Sequence, residues 1–139
     1  LGVGVHVYRE NTSAIERIEG SPVSWPLDAA RWARLRVAAG EARIVIVTEG
    51  ARGALLVTKE RELVLAPPRV EISSAIGAGD SFVGALCHAL SRGEDVVVAL
   101  RLAVATATAT LLTPGTELCD SADVERLLPL GREIPASEA

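Results

Sequence analysis

Ser73-Ser74-Ala75-Ile76-Gly77-Ala78-Gly79-Asp80-Ser81-Phe82-Val83-Gly84 is the most informative stretch of this 139-residue chain. Phe82, Ala85, Leu86, Ala89 and Leu90 recur at helical spacing, which predicts a helix over Gly79 to Ser91 that Arg92-Gly93 ends. Gly77, Ala78 and Gly79 stand just before it, so backbone N–H groups can converge on an anion with no side chains in the way. The helix start adds partial positive charge, which suits a phosphate. Asp80 falls in the first turn, where it can take a proton from a hydroxyl attacking that phosphate. A plain helix start with an acidic first turn fits the same spacing. No Lys-Ser or Lys-Thr follows the glycines, so this is not a Walker loop. Gly84 comes five residues after Gly79, so it is not GxGxxG either. Gly79-Asp80-Ser81 also resembles the opening of a Gly-Asp-Ser esterase, but its nucleophile would need a histidine base. The histidines are His6 and His88, and His88 lies roughly 10 Å along the same helix, so the triad fails.

Outward from this stretch, strands and helices alternate. Val3 to Tyr8 reads as a short strand, Arg9–Ser13 as a polar turn, and a short segment runs to Ile18 before Gly20-Ser21-Pro22. After Trp25-Pro26, Asp28 serves as cap or first-turn acid of a helix through Ala39 that Gly40 ends. Ile44-Val45-Ile46-Val47 is a strand buried on both faces. Ala54–Thr58 and Leu63–Ala66 flank the charged tip Lys59–Glu62 as a hairpin, and Pro67-Pro68 stops it. Asp95 to Leu112 is a second Ala-rich helix ended by Pro114-Gly115, and Ser121 caps a last helix through Leu128. Residues 133–139 read as a frayed tail. The class is α/β with an inserted hairpin.

Two further stretches can meet ligands. Val47-Thr48-Glu49-Gly50-Ala51-Arg52-Gly53 follows the buried strand, where ligands gather in open α/β sheets, although a tight turn into the hairpin fits too. Leu112-Thr113-Pro114-Gly115-Thr116 is a helix end whose carbonyls either hold a monovalent cation or simply terminate the helix.

Composition bounds the function classes. With 49% hydrophobic and 23% charged residues the chain can build a core, which argues against disorder. Net charge is −4 and the arginines are scattered, the densest group being Arg31, Arg34 and Arg36, read as a solvated helix face; nucleic-acid binding by charge is disfavoured. The longest uncharged stretch, Leu102 to Thr116, is too short and polar to span a bilayer, so no membrane partner is expected. Cys87 and Cys119 form no CxxC pair and are expected as small core residues in a reducing, cytoplasmic setting. With Leu1 first and no Met anywhere, the residues read as a piece of a longer chain.

Taken together, Gly77-Ala78-Gly79-Asp80, Thr48-Glu49-Gly50-Ala51-Arg52-Gly53, Pro67-Pro68-Arg69-Val70 and Gly115-Thr116 resemble, in order and spacing, the C-terminal half of the ribokinase-like (PfkB) carbohydrate kinases, from about Val7 to Leu128. Within the family, Ile76–Ala85 and Gly115–Cys119 are most similar to the minor 6-phosphofructokinase type. The 1-phosphofructokinase and tagatose-6-phosphate kinase branch is next. The resemblance implies a three-layer αβα fold in which residues 1–132 are the nucleotide-binding and catalytic part, while the substrate and lid half lies before Val3.

The activity implied is transfer of the ATP γ-phosphoryl group to a hydroxyl of a sugar phosphate. Asp80 would be general base, with Gly77, Ala78 and Gly79 as the anion hole. Asn11, Thr48, Glu49, Gly50, Ala51, Arg52, Gly53 and Thr108 would line the nucleotide site. Mg²⁺ would accompany ATP. Ser74, Ile76, Thr110, Thr113, Gly115 and Glu117 match positions that hold potassium in the family, mostly through carbonyls. Family dimers pair through the lid, so a homo-oligomer is compatible with the resemblance. Two positions depart from the family pattern: Ala14 stands where a Glu organises Mg²⁺ and phosphate, and Ala75 replaces a usual Thr. A non-catalytic nucleotide-binding or interaction fragment is the alternative that Ala14 and the half before Val3 leave open.

Overall fold

The computed structural model describes residues 5–139, so the expected strand positions Val3 and Gly4 lie outside the described residues. The described residues form two compact units, 5–65 with 133–139, and 66–132.

The first unit is built on a mixed sheet. Strands β1 (Val5–Asn11), β2 (Ala42–Thr48), β3 (Ala54–Val57), β4 (Glu62–Ala66) and β5 (Arg132–Pro135) lie side by side in that order. β1 and β2 are parallel, and β2, β3 and β4 run antiparallel in turn, so the expected hairpin is present. The β-branched run of β2 is buried throughout, with Val45, Ile46 and Val47 all at 0% exposure. Because side chains alternate across a strand, this run fills both faces of the sheet. Helices α1 (Thr12–Glu19) and α2 (Leu27–Ala38) pack on the sheet, and Ala29, Ala30 and Ala33 let α2 approach closely. The expected turn at Arg9–Ser13 is not a turn. Parallel pairing of Glu10 with Val47 and of Asn11 with Thr48 carries β1 to Asn11, and α1 starts at once.

Local chemistry explains the helix ends. Asn11 Oδ1 accepts from the Ala14 amide 2.8 Å away, and Gly20 ends α1 at φ 71°. Asp28 is a first-turn acid and not the cap, because the residue before α2 is Pro26. Its carboxylate accepts the Ser24 amide at 3.0 Å and the Ser24 hydroxyl at 2.9 Å. These bonds, the amide's first, hold its pKa below the ordinary 3.8. A carboxyl lowered on folding stabilises the fold above its unfolded pKa and loses that contribution as pH falls through the folded value. Ser24→Ala removes the hydroxyl bond and keeps the amide's, so it is expected to move the Asp28 titration midpoint only part of the way toward 3.8, read by carboxyl-carbon NMR; an unchanged midpoint would reject the hydroxyl bond as a cause.

Residues 133–139 are not frayed. β5 extends the sheet beyond β4, and Ala136, at 5% exposure, sits in the core cluster with Ile15, Trp32 and Val37. The solvated arginine face is also incomplete: Arg31 and Arg34 are exposed, but the Arg36 guanidinium lies 4.3 Å over the Trp32 ring and bonds Glu19 at 3.1 Å.

The second unit is helical. α3 (Ala78–Ser91) and α4 (Val96–Leu112) pack along each other, and α5 (Ser121–Leu127) packs on α4. Phe82, Leu86 and Ala89 are the buried stripe of α3, and Ala99, Ala103 and Ala109 keep the α4 surface small. Asp95 caps α4 through the Val97 amide. Asp120 caps α5 through the Ala122 amide, so Ser121 is its first helical residue and not its cap. Of the two cysteines, Cys119 lies at the margin of the core and Cys87 outside it. Cys87 is exposed because it falls one residue past Leu86, about 100° round the helix from the buried stripe, and Cys119 is half-buried beside Ala105, Ala109 and Leu127. No helix among the described residues is long and apolar enough to cross a membrane.

Candidate active site

The helix starts earlier than its sequence predicts: α3 begins at Ala78, so of the three small residues Gly77 alone precedes it, and Ala78 and Gly79 belong to its first turn. Gly77 is left-handed, with φ 81° and ψ −2°, and no side chain caps the helix. A Cβ added there would meet nothing within 4 Å, so the demand for glycine comes from the backbone angle and not from crowding. The Ser81 amide closes the first helical turn on the Gly77 carbonyl at 2.9 Å. Among the described residues the Gly79 and Asp80 amides have no acceptor, which leaves them for an outside anion. Gly77 and Ala78 are half-buried, while Gly79 and Asp80 are exposed. A carboxylate thus stands on the open side of a turn that offers N–H groups.

The segments around the turn are tied to the end of α4. The Leu111 carbonyl accepts the Ser73 amide at 2.8 Å and the Ser74 amide at 3.2 Å, and Ser74 Oγ accepts the Ile76 amide at 3.2 Å. Thr110 Oγ1 lies 2.9 Å from Ser81 Oγ. Of the residues matched to a potassium site, Ser74 is bonded through its amide to Leu111, the residue after Thr110, while the Thr110 hydroxyl turns to Ser81 and to the Thr106 carbonyl. Thr113 is half-buried and donates from Oγ1 to the Ala109 carbonyl at 3.2 Å, whereas Ile76, Gly115 and Glu117 are exposed. Thr108, at 3% exposure, donates to the Val104 carbonyl at 2.7 Å. Among the described residues no three His, Cys, Asp or Glu side chains gather to hold a metal ion. His88 is exposed on α3, and the Ser81 hydroxyl is engaged with Thr110, so the hydrolase geometry is absent.

In the first unit, Thr48 ends β2 opposite Asn11. Glu49 to Gly53 form a tight turn, with the Glu49 amide on the Gly53 carbonyl at 2.9 Å and the Arg52 amide on the Glu49 carbonyl at 2.9 Å. Gly50 has φ 50° and Gly53 φ 105°, the second a conformation that glycine alone adopts comfortably. Gly53 is buried, Thr48 and Glu49 are half-buried, and Gly50, Ala51 and Arg52 are exposed. Sequence reading did not single out Arg9, whose Nη2 donates to Thr48 Oγ1 at 3.1 Å and links the ends of the two parallel strands. Nor did it find Thr12, buried with its hydroxyl unpartnered among the described residues. Neither feature has a local signal, because each depends on which strand ends are neighbours.

Residues 5–123 match the model of the pfkB family of carbohydrate kinases. The chain is 33% identical over 133 residues to the ATP-dependent 6-phosphofructokinase isozyme 2 of Mycobacterium tuberculosis, covering 96% of this chain and 39% of that protein. A 1-phosphofructokinase of Rhodobacter capsulatus is 36% identical over 108 residues, covering 78% of this chain and 33% of that one. The crystal structure of phosphofructokinase-2 from Escherichia coli in complex with potassium superposes with a TM-score of 0.85 at 30% identity, over 91% of this chain and 41% of that one. The chain thus spans about two fifths or less of the length of the relatives it matches. That match takes in both the Gly77–Asp80 turn and the Thr48–Gly53 turn, and with it the chain belongs to the pfkB family of carbohydrate kinases.

Proposed function

We propose that these residues carry out the phosphoryl-transfer half of an ATP-dependent sugar-phosphate kinase, with fructose 6-phosphate as the first acceptor to test. The observation that carries this reading is the left-handed Gly77 turn, with two amides free of acceptors and a carboxylate in the first helical turn. The γ-phosphoryl group of ATP is the anion such a turn fits. Its amides would stabilise the charge on the equatorial oxygens as the group moves between acceptor and leaving oxygen. The acceptor hydroxyl attacks phosphorus and its proton passes to the Asp80 carboxylate, while the bond to the bridging oxygen breaks and ADP departs. Asn11, Thr48–Gly53 and Thr108 are proposed to line the nucleotide.

No resident divalent-metal cluster fits the described residues, so Mg²⁺ enters this reading as the partner of ATP and no step runs through it. Ala14, in the place of the family Glu, agrees with that. Hydroxyl and carbonyl oxygens suit a hard monovalent cation, and Ser74, Ile76, Thr110, Thr113, Gly115 and Glu117 are proposed for potassium.

The experiment is product analysis. The protein carrying this sequence is supplied with labelled ATP and a panel of fructose 6-phosphate, fructose 1-phosphate, tagatose 6-phosphate and unphosphorylated sugars. A sugar bisphosphate from a ketose phosphate is expected. Nucleotide binding with no labelled sugar from any acceptor would favour the non-catalytic alternative instead.

A further inference from the structure

We propose that the hydroxyl pair Ser81–Thr110 is a positioning device that holds the Gly77–Asp80 turn in its anion-accepting shape; this rests on reading the turn as the seat of the transferred phosphoryl group. The turn is anchored on both sides to consecutive residues of one helix. Before it, the Leu111 carbonyl takes the Ser73 and Ser74 amides at 2.8 and 3.2 Å. After it, Ser81 Oγ lies 2.9 Å from Thr110 Oγ1. Residues 74 and 81 are thereby fixed against residues 111 and 110, and the loop between them can neither slide along α4 nor lift from it without breaking a bond.

Proton counting gives the pair its direction. Thr110 Oγ1 also lies 2.9 Å from the Thr106 carbonyl, and a carbonyl can only accept. The single Thr110 proton goes there, so Ser81 supplies the proton between the two hydroxyls. Ser81 is then used twice: its amide fixes the Gly77 carbonyl at 2.9 Å, and its hydroxyl fixes the residue to α4. Thr106, Thr108, Thr110 and Thr113 all donate back to their own helix four residues earlier, and of these described residues Thr110 alone bonds a second helix. It is 5% exposed, so water competes weakly for the bond. Alanine would serve helix stability better than serine at position 81, which makes the hydroxyl the feature needing an explanation. Its loss strands no buried partner, because Thr110 keeps its bond to Thr106.

The turn meets the γ-phosphoryl group, which ATP has and ADP lacks, and this separates positioning from packing. In the full chain, Ser81→Ala is expected to weaken a non-hydrolysable ATP analogue relative to ADP by about five- to tenfold, as loss of one well-placed hydrogen bond gives. Ser81→Thr, which keeps the hydroxyl, is expected to hold that ratio within about twofold of the parent, a change far below one hydrogen bond. Without nucleotide, amide hydrogen exchange at Ser74 and Ala78, which are bonded to the Leu111 and Ala75 carbonyls, is expected to quicken in Ser81→Ala and not in Ser81→Thr. Unchanged exchange in Ser81→Ala, or equal weakening of both nucleotides, would overturn the proposal and leave the pair as helix packing. If the parent chain itself fails to prefer the triphosphate, the phosphoryl reading of the turn is what fails, and the exchange measurement still decides whether the pair holds the turn.

Discussion

Asp80→Asn is expected to lower the rate of phosphoryl transfer by about 10²–10⁴-fold, the usual contribution of a positioned general base. Asn matches Asp in size and still fits the first turn of α3, but it cannot take the acceptor proton. The loss corresponds to about 3–5 kcal/mol on the barrier. Asp80 is exposed and nothing in the core depends on it, so folding and nucleotide affinity should stay close to the parent values. The loss then appears in kcat, with the nucleotide KM nearly unchanged. Single-turnover kinetics with saturating ATP measure this directly. A rate within about tenfold of the parent would remove Asp80 from the base position, because a general base is worth more than that.

The second large effect is structural. Trp32→Ala is expected to cost about 3–5 kcal/mol, which is a major part of the stability of an ordinary domain. Trp32 is 6% exposed in the core cluster between α2 and the sheet. Its Nε1 donates to Glu19 at 3.0 Å, its ring carries the Arg36 guanidinium at 4.3 Å, and the Tyr8 ring centroid lies 5.6 Å away. Alanine removes all of these and leaves a cavity among alanines and valines that are too small to close it. Trp32→Phe should cost only about 1 kcal/mol more than a neutral change for the lost N–H bond, since Glu19 keeps its bond to Arg36. Urea unfolding followed by circular dichroism compares the two. Near-equal midpoints for both variants would show that the ring is not the keystone of the α2–sheet contact.

The elements with strong local patterns were legible in the residues. Four β-branched residues from Ile44 to Val47 could only be a buried strand, and apolar runs on either side of Lys59–Glu62 could only pair. Gly77-Ala78-Gly79 marked a helix start, and Gly77 supplies the left-handed residue just before it. What escaped were features made by neighbours distant in sequence. Arg9, Glu10 and Asn11 look like a polar turn until Ile46, Val47 and Thr48 offer them a parallel partner. Arg132–Pro135 has no alternation to announce a strand, and only the free edge of β4 makes it one. Cys87 was misplaced because cysteine is usually buried, although its helical phase next to Leu86 already pointed outward. The Ser81–Thr110 bond joins residues 29 apart and has no signature in either segment.

If the Gly77–Asp80 turn seats the terminal phosphoryl group of ATP, its amides must sense that group. The most direct measurement is a ¹H–¹⁵N titration of this chain with a non-hydrolysable ATP analogue and, separately, with ADP. The Gly77, Ala78, Gly79 and Asp80 amides are expected to move with the triphosphate and barely to respond to the diphosphate. If the triphosphate binds and leaves those four amides where they were, the turn is an ordinary helix start and does not receive the phosphoryl group.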